Sequence, residues 1–219
     1  MPFVADGTGE PRLGLRERKK QRTRAMLLDA AIELCRRQGF ERTTVDQIAA
    51  IADVSPRTFS RYFATKDAIA FALIDEAIDV AAVELAGQPT TISHLEALHR
   101  AYVGMYKNAA SAGPGGLSAD RLLCSVRIIM TSPALRQAAL EYRPHAVNVE
   151  LAKRMGVDTE DRTLRLLSSV WGAIVMTALA DLADEQLDWE QLGIDDIVVR
   201  LEDTFAEFTG LMSEVVELV

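Results

Sequence analysis

Apolar residues recur at helical spacing along most of this chain, and no stretch alternates convincingly in the manner of a strand. The first stripe follows Arg16 and runs through Leu27, Leu28, Ala31, Ile32, Leu34 and Cys35. Gly39 then predicts a left-handed C-cap, with Phe40 folding back as its apolar contact. Before the stripe, residues 1–15 hold Pro2, Gly7, Gly9, Pro11 and Gly14 with little periodicity, which predicts a disordered arm.

A dense set of start and stop signals comes next. Thr44 and Gln47 have capping-box spacing and predict a short helix over 44–51. Asp53 stands at a sharp turn, where Asp tolerates the left-handed region better than most residues. Ser55 suits an N-cap and Pro56 the first helical position, predicting a second short helix over 55–63. Thr65 caps a further start, and a long helix opens at Lys66-Asp67 and runs to about Leu85.

Beyond it the pattern predicts helices near 92–110, 118–130, 133–155, 160–183 and 195–217. Gly87-Pro89, Gly113-Gly116, Ser132-Pro133, Gly156 and Gly193 mark the breaks, and Pro144 kinks or splits its helix. The fold class is therefore all-α, with about nine helices. The organisation is a three-helix N-terminal domain over 16–66 and a larger helical domain over 67–219.

Charge sharpens that division. The net charge is -8. Residues 11–66 carry 13 Lys/Arg against 6 Asp/Glu, whereas residues 67–219 carry 11 against 24. A basic front on an acidic body implies that only the front meets a polyanion.

Two short helices joined by a tight turn form a helix-turn-helix. Val45, Ile48, Ala49, Val54, Thr58, Phe59, Tyr62 and Phe63 are the residues that fill the crossing. The outward face of the second helix carries Ser55, Arg57, Ser60 and Arg61, with Thr58 and Tyr62 bordering it. A helix in the major groove needs short polar donors and an Arg that addresses guanine. Arg57 is the leading base reader and Arg61 the second. Lys66 and Thr44 open helices, where unpaired amides favour a phosphate. Upstream, Arg16, Arg18, Lys19, Lys20, Arg22 and Arg24 are opposed only by Glu17, and are placed for phosphate backbone or minor groove. The partner these residues imply is double-stranded DNA.

The stretch Arg18 to Leu73, centred on TTVDQIAAIADVSPRTFSRYFATKDAIA, resembles the N-terminal domain of tetracycline-repressor-like (TetR family) regulators. GLRERKKQRTR and SPRTFSRYF more narrowly resemble an actinobacterial subset that includes mycofactocin-associated regulators with acyl-CoA-like ligands. The resemblance implies a recognition helix in the major groove and a phosphate contact at Lys66. Two positions depart from the family pattern: Asp53 replaces the usual glycine, and Ser60 replaces a frequent tyrosine phosphate contact.

The second domain is then expected to dimerise and to take a ligand. Trp171, Val175 and Leu179 on one helix, and Val198, Leu201, Phe205, Phe208 and Met212 on the last, are the expected homodimer stripe. A two-fold dimer presents two recognition helices to a palindromic operator. Tyr102, Met105, Tyr106, Leu123, Arg127, Met130, Tyr142, His145, Trp171 and Met176 are the expected pocket, for an apolar or acyl-CoA-like effector. Arg127 is the charged member of that set, with pairing to a neighbouring acid such as Asp120 or Glu150 as the alternative, and the glycine-rich loop Ala110–Ser118 is expected to gate entry. The expected function is a ligand-responsive repressor; an activator, or a regulator acting through protein contacts, is the alternative.

Other classes fit less well. His94, His99 and His145 have no metal-ligand spacing, and no nucleophile-base set or phosphate loop is present, which excludes an enzyme on motif grounds. Cys35 and Cys124 have no metal spacing and read as core thiols. The longest uncharged apolar run, Leu166 to Ala180, is 15 residues, too short to span a bilayer. With no signal peptide apparent, the expected location is the cytoplasm, without a membrane partner.

Overall fold

The computed structural model describes residues 14–110, 117–140, 145–183, 188–189 and 191–217, and every regular element among them is a helix. The chain divides into two compact units, Met1–Lys66 and Asp67–Val219, here called head and body. The expected arm over 1–15 lies outside the described residues as far as residue 13, and Leu15 already begins the first helix.

The head is built on α1 (Leu15–Gln38), α2 (Val45–Ile51) and α3 (Pro56–Tyr62). Its core collects Leu27, Leu28, Leu34, Phe40, Ile48, Ala49, Phe59 and Phe63, all buried. Val45, Val54, Thr58 and Tyr62 are half-buried at its edge. Gly39 has positive φ, as expected, but its ψ of 156° lies outside the left-handed helical region. Its N–H still closes on the Cys35 carbonyl at 2.9 Å. That extended exit is open mainly to glycine, and it delivers Phe40 into the core. Asp53 adopts φ 52° in the turn between α2 and α3.

In the body, α4 (Lys66–Ala86) is followed by α5 (His94–Ala109), α6 (Ala119–Thr131) and α7 (Pro133–Leu140). Then come α8 (Ala146–Met155), α9 (Arg162–Ala178), a 3-10 turn (Ala180–Ala183) and α10 (Ile194–Glu217). The expected 133–155 helix is two helices, α7 and α8. Pro144, where a kink or split was expected, lies outside the described residues. The α9 helix ends at Ala178, short of 183, because its last turn tightens into 3-10 geometry, a frequent helix terminus.

Within the body, α10 packs on α5 and α9, and α8 packs on α9. This packing corrects the expected dimer stripe. Trp171, Leu179, Val198, Leu201 and Phe205 are all buried in the body's own core. Phe205 stacks on the His99 ring with centroids 4.2 Å apart, and Trp171 meets Phe205 edge-on. These five belong to the body's own core, in which α10 packs on α5 of the same chain. Val175 and Phe208 are half-buried, and Met212 is exposed.

Three tethers hold loops and helices in place. Arg154 donates to the carbonyls of Gln88, Pro89 and Ile92, clasping the α4–α5 loop. Arg121 pairs with Glu76, joining α6 to α4. Arg200 pairs with Asp181 at 3.0 Å, fixing the 3-10 turn to α10.

Candidate nucleic-acid interface and effector cavity

The α2 helix begins with a complete capping box. Thr44 Oγ1 accepts from the Gln47 N–H at 3.3 Å, and Gln47 Oε1 accepts from the Thr44 N–H at 3.0 Å. At α3, Ser55 Oγ accepts from the Thr58 N–H at 3.1 Å and shares a hydrogen with Thr58 Oγ1 at 3.0 Å. Ser60 Oγ donates to the Pro56 carbonyl at 3.1 Å. These four hydroxyls therefore engage their own helices. The two N-caps among them, Thr44 and Ser55, each contribute about 0.5–2 kcal/mol.

The cations differ. Arg57 is exposed on the first turn of α3 and has no hydrogen-bond or ion-pair partner among the described residues. Arg61 is also exposed, and its guanidinium lies over the Tyr62 ring at 5.4 Å. The Thr23 hydroxyl, and then Arg61, hold the Tyr62 phenol below its usual pKa. Tyr62 thus bridges α3 to α1 while keeping an exposed edge. On α1, Arg18, Lys19 and Arg22 are exposed, and Lys20 is loosely paired with Glu17 at 3.8 Å. Arg24 instead covers the buried Phe63 ring at 5.4 Å.

Lys66 has a role that sequence reading missed. Its ammonium donates to the carbonyls of Phe40 at 3.1 Å and Glu41 at 3.3 Å, and sits 4.6 Å from the Phe40 ring centroid. It ties the α1–α2 loop to the start of α4. An ammonium has three donors, so one N–H is left for another acceptor.

The body holds a cavity of about 230 Å³. Tyr102, Met105, Tyr106, His145, Trp171 and Met176 line it, as expected. Leu123, Arg127 and Met130 do not. Leu122 lines it in place of Leu123, one step around α6, and Met130 is buried in the core. Arg127 lies over the Trp189 ring at 5.8 Å. Tyr142 and the loop segment 111–116 lie outside the described residues.

Several polar lining residues were not anticipated. Asn148 donates to Ser168 Oγ at 2.7 Å and accepts from the His145 N–H at 3.2 Å. Ser125 donates to the Arg121 carbonyl at 2.9 Å. Isolated polar residues on apolar helices read as surface positions, so only the spacing of His145 and Asn148 across a helix start offered a signal. His145 Nδ1 lies 3.7 Å from Asp75 Oδ1. Burial pushes the Tyr102 phenol up to about 12, and raises Tyr106 as well, with the Tyr102 charge opposing its ionisation. Among the described residues no group of His, Cys, Asp and Glu is arranged to hold a metal ion, and no helix is long and apolar enough to cross a membrane.

A capped short-helix pair with an outward arginine face, in a chain with a basic front, defines a helix-turn-helix DNA-binding transcription regulator. The comparisons agree. The profile of bacterial regulatory proteins, tetR family, matches residues 27–73. The HTH-type transcriptional regulator TcmR of Streptomyces glaucescens is 35% identical over 157 residues, which is 68% of this chain and 67% of TcmR. The chain belongs to the TetR family. Among solved structures, a TetR-like transcriptional regulator from Rhodococcus sp. RHA1 is 22% identical, with TM-score 0.45 over 92% of this chain and 99% of its own. The repressor FadR of Thermus thermophilus, in complex with lauroyl-CoA, is 22% identical, with TM-score 0.46 over 84% of this chain and 91% of its own. The family profile and TcmR carry the family, and nothing in them supports the narrower mycofactocin-associated subset.

Proposed function

We propose that this regulator is a cytoplasmic, ligand-responsive repressor that binds a palindromic operator as a homodimer. The observation that carries the reading is the division of roles on α3. The Ser55, Thr58 and Ser60 hydroxyls are engaged within the helix, while Arg57 stands exposed and unpartnered among the described residues. Arg57 is then the base reader, through a bidentate contact to guanine, and Arg61 flanks it. Arg18, Lys19, Arg22 and the third N–H of Lys66 neutralise phosphates and set register.

The homodimer is supported by the outward side of the last two helices. Leu166 is 63% exposed, Val199 53% and Met212 44%. The contact proposed here therefore replaces the inward stripe with these residues, together with Val175 and Phe208. Two copies related by a two-fold axis place recognition helices about 34–36 Å apart, or a multiple of that. The body cavity takes the effector. Linkage requires only that the effector bind the DNA-free form better than the DNA-bound form.

Fluorescence anisotropy on duplex DNA from upstream of the chain's own gene tests this reading, titrated with salt and then with cell extract. Tight, sequence-preferring, salt-sensitive binding that the extract releases is the expected result. Weak binding, equal on random DNA, would overturn it. Sedimentation that finds a monomer at micromolar concentration would overturn the homodimer.

A further inference from the structure

We infer that the body cavity binds a compact, uncharged, ring-bearing molecule through an acceptor oxygen set against the Tyr102 and Tyr106 hydroxyls. This rests on the reading of the cavity as the effector site and names the class of effector. Size comes first. A cavity of about 150 Å³ holds benzene, so about 230 Å³ suits one ring or two fused rings. Shape comes second. Tyr102 and Trp171 meet edge-on at 5.1 Å and present aromatic walls, which favour a flat partner over a flexible chain.

Charge is the third constraint. Among the described residues, the lining contains no Lys, Arg, Asp or Glu, and its one titratable nitrogen base, His145, faces Asp75. A carboxylate or phosphate placed there would lack a countercharge in an apolar site, which is costly. The phosphates of an acyl-CoA-like effector find no Lys or Arg among the described lining residues.

The hydrogen-bond inventory supplies the acceptor. Asn148 and Ser168 satisfy each other across the cavity wall. Tyr106 makes no hydrogen bond among the described residues. The Trp171 indole N–H, itself buried without a partner that meets hydrogen-bond geometry, is the only described group that bears on the Tyr102 hydroxyl. The two phenols stand one turn apart on α5 and both line the cavity, and burial disfavours their ionisation, so each O–H is available to donate. A carbonyl or ether oxygen on the ligand accepts from them.

The test uses the full chain and three probes of one ring size: 1-tetralone, tetralin and 1-naphthoate, each followed by titration calorimetry. The expected order is 1-tetralone at least about tenfold tighter than tetralin, with 1-naphthoate weakest. In Tyr102→Phe/Tyr106→Phe the tetralone-to-tetralin ratio falls to about one, while tetralin affinity stays within about twofold. Equal binding of tetralone and tetralin by the unaltered protein would overturn the proposal. So would preferred binding of naphthoate, or no binding of any probe. The three-probe comparison needs no variant, so a misfolded variant does not shield the idea. Release of DNA by extract without tetralone binding overturns this ligand class and leaves the repressor reading standing. Tetralone binding, with no extract able to release DNA, does the reverse.

Discussion

Head and body treat their polar side chains in opposite ways, and their tyrosines show it most directly. Tyr62 in the head is half-exposed, and the Thr23 hydroxyl and Arg61 favour its phenolate. Tyr102 and Tyr106 in the body are held neutral by burial. Around Tyr62 the Thr23, Ser55, Thr58 and Ser60 hydroxyls are engaged within their own helices, and arginine is what reaches outward. In the cavity Ser125 and Ser168 are engaged too, and the proposed ligand would meet the Tyr102 and Tyr106 hydroxyls. A surface that reads DNA needs rigid helix starts and mobile cations. A cavity that binds a neutral molecule needs a few oriented donors in an apolar wall.

The largest test of the head's rigidity is Phe59→Ala. Phe59 is fully buried at 1% exposure, and emptying such a site costs about 3–5 kcal/mol. Denaturant titration should show that loss, and DNA binding should go with it. A change under about 1 kcal/mol would mean that the α3 packing is not what orders the reading face.

The body should show its contrast at high pH. A phenol whose folded pKa is raised stabilises the fold fully below its unfolded value near 10, and loses that contribution as pH rises toward 12. For Tyr102 the difference is about 3 kcal/mol. Ultraviolet titration of phenolate should show Tyr62 ionising first in the folded chain, and Tyr102 and Tyr106 only as the body unfolds. Simultaneous ionisation of all three would erase the distinction between the regions.

Arg57→Ala should lower discrimination at one base position by about 1–3 kcal/mol per half-site, leaving other positions unchanged. A uniform loss across sequences would make Arg57 a phosphate contact instead. Lys66→Ala should act twice. Stability should fall by about 1 kcal/mol, because two loop carbonyls lose their donor. The salt slope of DNA binding should fall by about one. A fall in stability with an unchanged slope would make Lys66 a structural tether only.

What was legible in the sequence was local chemistry. The capping box of Thr44 and Gln47, the Ser55-Pro56 start and the strained turn at Asp53 are each set by neighbours within four residues, and each stands as read. The burial of Trp171, Leu201 and Phe205 was also legible, but not what buries them. A helical stripe states that a face is covered and is silent on whether the cover is the same chain or a second copy. The Leu122–Leu123 exchange has a similar origin. Residues on nearly every side of α6 are buried, so periodicity leaves its phase about the cavity undetermined. The tether that Lys66 makes was not legible, because its carbonyl partners lie 25 and 26 residues away.

Asp53 offers the smallest and most discriminating test. Its φ of 52° is in the left-handed region, which costs most non-glycine residues about 1–2 kcal/mol and Asp somewhat less. Glycine removes that strain, but frees the unfolded chain by about 0.4–1 kcal/mol. Asp53→Gly should therefore raise stability by no more than about 1 kcal/mol, read as a small rise in the thermal midpoint. Asp53→Ala, which keeps the Cβ and loses the carboxylate, should lower it. The pair separates backbone strain from side-chain effects. If both variants lower stability equally, the carboxylate itself holds the turn, and this chain has replaced the family's glycine with a polar contact rather than tolerating a strained residue.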